Sequence, residues 1–268
     1  MKETNCPNCQ SKKYKIVVDV SKESDIYLDY LKFNYKNMNR FYAHCDSCSL
    51  VYRTPILDKN EKELLYQHFR DVEFRKENKW EYFKRITSLP PAESENYQRC
   101  LFLEKYLGKE GEILDVGSGG GVFLYSFKEH FPGWKMLGIE PTKGFADVAK
   151  ENGINVVYGY LEEGTFDKKF DLVTLNHVLE HVEDFKKMLS MLKGYLKKEG
   201  LLYLEVPSAK DIGYFPPSHE RFMCQHEIIF SKDVLEDILD KLGYSIAASE
   251  EFISIRKKNN LAIIAKSL

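Results

Sequence analysis

The 268-residue chain has no apolar run approaching the ~20 residues of a membrane-crossing helix, so no helical span is expected. It has no excess of one charge either: 39 Lys and Arg stand against 41 Asp and Glu, a formal net charge of −2. Such a balance gives no global attraction to a phosphate backbone, which disfavours nucleic acid as a partner and favours a small-molecule one. No internal repeat and no low-complexity tract is present. Met1 is followed by Lys-Glu-Thr-Asn-Cys, with nothing that resembles a secretion signal, so a cytoplasmic location is expected. What remains, 43% hydrophobic and 30% charged residues, is the composition of a globular protein. Its length fits one α/β domain with a small appendage.

Cysteine is sparse, but four of the six fall in two identical spacings, Cys6-Pro-Asn-Cys9 and Cys45-Asp-Ser-Cys48. A two-residue gap lets both thiolates of a knuckle reach one tetrahedral ion, and two knuckles close a four-thiolate site of the structural zinc type. Tyr14 to Val20 alternates as a strand between them, so residues 1–56 are expected to form a zinc ribbon with Cys6, Cys9, Cys45 and Cys48 as ligands. Its nine Lys or Arg against six Asp or Glu make a modest basic balance, as suited to a protein or substrate contact as to nucleic acid. Cys100 and Cys224 lack a paired neighbour and read as buried small hydrophobes.

Residues 57–100 read as a helical linker, with Leu64, Leu65, Phe69, Val72 and Phe74 scattered among charges. From 101 to 268, strand-like and helical runs alternate, which implies right-handed crossovers and a mostly parallel sheet. The last two strand-like runs, Tyr244 to Ser249 and Leu261 to Ala265, have no helix between them and are expected to pair antiparallel at one edge. The fold class is therefore α/β, a Rossmann-like seven-stranded sheet with an antiparallel last strand, plus the ribbon.

Asp115-Val-Gly117-Ser-Gly119-Gly-Gly121 follows a short apolar strand and opens a helix, so its glycines let backbone approach a ligand closely. Glu140 closes the next strand, where a carboxylate can accept both hydroxyls of a ribose. A dinucleotide would be served by the same parts, but the spacing is not G-x-G-x-x-G. Asp115 would also repel a pyrophosphate, whereas it suits an ammonium. With EILDVGSGGG, LGIEP, FDLVTLNHVLEHVED and LLYLEVP, the stretch from Glu112 to Leu268 resembles the class I, seven-stranded S-adenosylmethionine-dependent methyltransferases.

That resemblance implies S-adenosylmethionine held by Asp115, Gly117, Gly119, Gly121 and Glu140. Gly159, Tyr160 and Leu161 would lie at the adenine, and Asn176 and His177 beside the methionine end. The family often has Asp at the Tyr160 position, so one hydrogen bond to the adenine is missing. His177, Glu180 and His181 supply bases near the transferable methyl, with His181 the first candidate and His226 a further one. The ribbon, HVLEHV and His226-Glu-Ile-Ile-Phe-Ser231 resemble methyltransferases of deoxysugar and surface-glycan pathways. Their C-methylating members carry Tyr-x-Glu-His where this chain has Met223-Cys-Gln-His226, which favours O-methylation of a nucleotide-linked sugar or phosphoryl group. Lys210, His219 and Arg221 would meet the acceptor's phosphates. The alternatives are a sugar C-methyltransferase, an RNA methyltransferase reading substrate with its ribbon, and a binding protein without catalysis. The RNA reading is opposed by Asn176-His-Val-Leu, which is not the N-P-P-Y pattern of base-amine methylation.

Overall fold

The computed structural model describes residues 1–68, 76–210 and 212–267; Phe69, Val72 and Phe74 of the expected linker lie outside them. The chain opens with strand β1 (Tyr14–Asp19), a short helix α1 (Ile26–Tyr30) and strands β2 (Phe41–Cys45) and β3 (Val51–Thr54), paired antiparallel in that order. The two cysteine knuckles are built alike. Cys6 N–H donates to Ser11 O and Gln10 N–H to Cys6 O; Cys45 N–H donates to Leu50 O and Ser49 N–H to Cys45 O. Gln10 and Ser49 take left-handed backbone, φ of 62° and 59°, to close these turns. The turns bring the four thiols into one cluster, with Sγ of Cys6 3.5 Å from Cys48 and Sγ of Cys9 3.5 Å from Cys45.

Among the described residues, helices α2 (Lys59–Gln67), α3 (Lys79–Thr87) and α4 (Glu95–Glu104) follow. The first two start with reciprocal caps, Asp58 with Glu61 and Asn78 with Glu81, which satisfy the free N–H groups of the first turn. They are not solvated all round, as their charge had implied. Leu65 is buried with Tyr27, Leu28, Leu57 and Cys224, and the Phe83 ring meets Tyr125 edge-on at 5.6 Å.

The larger sheet comprises β4 (Gly111–Val116), β5 (Trp134–Glu140), β6 (Val156–Tyr158), β7 (Phe170–Asn176) and β8 (Leu196–Pro207), all mutually parallel. Helices α5 (Val122–His130), α6 (Lys143–Glu151) and α7 (Phe185–Leu192) run between strands. The apolar spacing from Phe185 to Leu196 reads as one helix, but α7 stops at Leu192. It ends four residues earlier because Lys193–Tyr195 tighten to a 3₁₀ turn and Leu196 already pairs with Phe170. A two-residue strand β9 (Ile228–Ile229), helix α8 (Lys232–Lys241) and strands β10 (Tyr244–Ile253) and β11 (Asn259–Ser267) complete the chain. The order is β10-β11-β8-β7-β4-β5-β6, with β11 antiparallel to both neighbours, as the sequence implied. Because β5 lies on one side of β4 and β7 on the other, the order reverses at β4. Such a reversal opens a crevice at the carboxyl ends of the strands. Among the described residues, no helix is long and apolar enough to cross a membrane.

Strand β9 does not join the large sheet. Val51 pairs with Ile229 and Tyr52 with Ile228, so it becomes the fourth strand of the amino-terminal sheet. Tyr42 Oη donates to His226 O at 2.6 Å, Arg53 Nη1 to Phe222 O at 2.9 Å, and Cys224 N–H to Asp25 Oδ2 at 2.7 Å. Residues 221–229 are thus clamped by the first 56. Arg53 is 1% exposed and its guanidinium lies 3.9 Å from the equally buried Asp25. Removing one partner of a buried pair leaves the other charge uncompensated. Arg53→Ala is expected to lower unfolding free energy by ~3–5 kcal/mol, read from the denaturant midpoint; a change below about 1 kcal/mol would show that the clamp is held elsewhere.

Candidate active site

The glycine turn leaves β4 and becomes the start of α5. Gly117, Gly119 and Gly121 all have positive φ, 68°, 55° and 78°. A Cβ on Gly117 would stand 2.7 Å from Val178, whereas one on Gly119 would meet nothing within 4 Å. The first glycine is required by packing, and the second faces open space that a ligand can enter. Glu140, 6% exposed, accepts the N–H of Gly119 at 2.8 Å and of Thr142 at 2.9 Å. Two backbone donors fix its carboxylate against the turn, and a carboxylate has further acceptor sites for hydroxyls. Gly159 N–H donates to Glu140 O, which sets the end of β6 beside it; Tyr160 next to it is 61% exposed, and Leu161 is packed into the core.

Asp115 accepts from Thr174 Oγ1 at 2.6 Å and Asn176 Nδ2 at 3.0 Å, both on one carboxylate oxygen. Burial pushes its pKa up to about 7, against the pull of those two hydrogen bonds. Asn176 Oδ1 is buried with no hydrogen-bond partner. A buried carboxylate beside an orphaned amide oxygen asks for a cationic donor, and the ammonium of an amino-acid moiety is one. These residues therefore fit the methionine end of S-adenosylmethionine, with Glu140 placed for its ribose.

Past Asn176 the chain does not continue as a helix. His177 takes left-handed backbone, φ 55°, and only Leu179–His181 form a 3₁₀ turn. The turn aims His177 between two carboxylates, Nδ1 3.3 Å from Glu180 and Nε2 3.1 Å from Glu205. Burial would lower its pKa, but the hydrogen bonds and charges of both acids raise it to about 9. His177 thus holds its proton at neutral pH and is no base, which corrects one role expected of it. Glu180 is completely buried, and although burial opposes ionisation, the neighbouring histidines hold its pKa below the usual range.

His181 and His226 stack, ring centroids 5.0 Å apart. His181 Nδ1 lies 2.6 Å from Gln225 O, and His226 Nδ1 lies 3.0 Å from Arg221 O. Burial first, then the charge of His181, drops the His226 pKa to about 3, so His226 is neutral and a very weak base. The expected phosphate contact of Arg221 is overturned: it is 4% exposed, donates to Ser208 O at 2.7 Å and covers the Phe215 ring.

Several members of the site were not singled out by the sequence. Glu205, 1% exposed, accepts from Arg99, Tyr203, Asn260 and His177. Its signal was present in LLYLEVP, where one acid interrupts an apolar strand that a parallel sheet must bury. Arg99, in the stretch read as linker, carried none.

The crevice, turn and acids define the class: this is the site and fold of an S-adenosylmethionine-dependent methyltransferase. A methyltransferase-domain family model matches residues 88–249, more than half of the chain, and the chain belongs to that family. Magnesium protoporphyrin IX methyltransferase from Synechocystis, solved with bound S-adenosylhomocysteine, shares the fold with a TM-score of 0.57. It is 17% identical, over 77% of this chain and 100% of that one. A ubiquinone biosynthesis O-methyltransferase of Rickettsia felis is 34% identical over 96 residues, 34% of this chain and 38% of its own length. An uncharacterized protein of Methanocaldococcus jannaschii is 31% identical over 147 residues, 53% of this chain and 68% of its own. The matches thus span between 38% and 68% of these two relatives.

An Asp115 that holds the cofactor's ammonium must be ionised, so on this assignment affinity for S-adenosylhomocysteine is expected to fall about tenfold from pH 8 to pH 6, following a pKa of about 7. Calorimetry on Asp115→Asn should give weaker binding with a flat profile. An unchanged slope in that variant would place the titrating group elsewhere.

Proposed function

We propose that this protein binds S-adenosylmethionine and transfers its methyl group to a hydroxyl oxygen of a small molecule. The observation that carries the reading is the Glu180–His181–His226 cluster, whose first two members lie in the turn just beyond Asn176 and whose third stacks on His181. Glu140 would hold the ribose, Asp115 and Asn176 the ammonium, Gly117, Gly119 and Gly121 the close backbone approach, and Gly159, Tyr160 and Leu161 the adenine side. Once bound, the cofactor supplies an electrophilic methyl on a sulfonium. The acceptor oxygen attacks the methyl carbon in line: the new C–O bond forms as the C–S bond breaks, and the electron pair returns to sulfur as a thioether. The acceptor's proton passes to a base. His226 is too weak and His177 already protonated, so His181 Nε2 is the proposed acceptor, and His177 a positioning residue.

The four cysteines are proposed to hold a structural zinc. Their 3.5 Å sulfur separations are close to the ~3.8 Å implied by four Zn–S bonds of ~2.3 Å in a tetrahedron. The acceptor class proposed is a nucleotide-linked sugar or phosphoryl group of capsule or surface-glycan biosynthesis, supported by the resemblance that runs from ribbon to His226. The buried Arg221 withdraws one phosphate contact from it. The Rickettsia relative, an O-methyltransferase by name, supports oxygen as the receiving atom. A net charge of −2 supports a small acceptor over RNA.

The protein incubated with S-adenosylmethionine and a metabolite pool is expected to add one methylene to a hydroxyl compound, read by mass spectrometry. His181→Ala should lower turnover ~10²–10⁴-fold while S-adenosylhomocysteine still raises thermal stability. Methylated RNA, or full turnover in that variant, would overturn the acceptor or the base respectively.

A further inference from the structure

Glu180, His181 and His226 each offer one ligand atom, and these atoms all lie within 4.8 Å of one another. Both imidazoles are anchored in the same way, Nδ1 against a main-chain carbonyl, Gln225 O at 2.6 Å and Arg221 O at 3.0 Å. A carbonyl only accepts, so each Nδ1 carries the hydrogen and each Nε2 presents a lone pair. Glu180 is completely buried: Oε1 is engaged by His177 at 3.3 Å, and Oε2 has no hydrogen-bond partner. A buried carboxylate oxygen with no partner is unfavourable unless a cation or a hydrogen-bond donor meets it.

Two imidazole lone pairs and one carboxylate are the donor set of two-histidine, one-carboxylate sites for divalent first-row metals. Anchored Nδ1–H groups and a hydrogen-bonded carboxylate are the outer partners that orient such ligands. We propose that Glu180, His181 and His226 bind a divalent transition-metal ion, distinct from the four-cysteine cluster, where the methyl acceptor docks. The proposal rests on the methyltransferase reading and changes one role within it. The acceptor hydroxyl coordinates the ion and loses its proton to water, and the oxyanion so held attacks the methyl; His181 Nε2 is then a ligand and not the base.

The test uses the full chain with its ribbon loaded with zinc, washed with a mild chelator and titrated with Mn²⁺, a hard ion that thiolates bind poorly. Free Mn²⁺ is followed by electron paramagnetic resonance. One Mn²⁺ per chain is expected to be taken up, with at least a tenfold loss of affinity in His226→Asn and in Glu180→Gln, both still stabilised by S-adenosylhomocysteine. Wild-type protein that leaves all Mn²⁺ free, or variants that bind it undiminished, overturns the site. Methyl transfer that survives chelation also overturns it and leaves His181 as the base. Mn²⁺ bound by wild type and lost in the variants, with no methyl transfer to any pool, upholds the ion and removes the proposed activity instead.

Discussion

Glu205 sits at the carboxyl end of β8 with almost no exposure, and a carboxylate in that position is unfavourable unless donors surround it. Arg99 meets both of its oxygens at 2.7 Å; Tyr203 Oη adds a bond at 2.8 Å, Asn260 Nδ2 one at 2.9 Å and His177 one at 3.1 Å. These donors come from α4, from β8 itself, from β11 and from the turn after β7. The Arg99 charge and the His177 hydrogen bond overcome the effect of burial and keep the acid ionised. A buried ion pair is weak evidence for stability, since apolar packing can do as well. What it does here is fix geometry: five donors around one carboxylate leave His177 a single place to stand.

From that place the order spreads outward. His177 in left-handed backbone turns the chain so that Glu180 faces back toward it, and the Glu180 main chain then binds Glu227 N–H. That bond brings in residues 221–229, which the amino-terminal sheet clamps from the other side through Tyr42, Arg53 and β9. His226 therefore faces His181 only because a strand from residue 228 was drawn into a sheet that begins at residue 14. The cysteine cluster is far from ornamental in this view. It anchors the turns of a sheet whose last strand directly follows His226.

How much of this was legible follows from where each interaction lies along the chain. Local chemistry was readable: Asp115, the glycines and Glu140 sit within one strand-turn-helix-strand unit, and the antiparallel ending showed in the missing helix between β10 and β11. The paired cysteines declared their cluster by spacing alone. Contacts over long separations were not readable. Arg99 and Glu205 are 106 residues apart, and Tyr42 and His226 are 184 apart. No period or spacing encodes such pairs. Charge density also misled, because α2 and α3 carry many charges yet bury Leu65 and Phe83 along one face. The left-handed φ of His177, which stops the chain after β7 from running on as a helix, has no signal in HVLEHV.

The three histidines show why a count of bases near a strand end cannot assign roles. All are partly buried imidazoles within fifty residues, yet His177 lies between two acids that favour its proton, while His226 lies against a carbonyl and another imidazole that disfavour one. Environment, not residue type, separates them. The proposed chemistry is thereby left to His181 and to the lone pairs that face Glu180. A proton held on one side, an unfilled carboxylate oxygen in the middle and two oriented nitrogens on the other leave a position lined by acceptors, which calls for a donor or a positive centre. The proposed metal ion would supply that partner, and it would place positive charge where a developing acceptor oxyanion needs it.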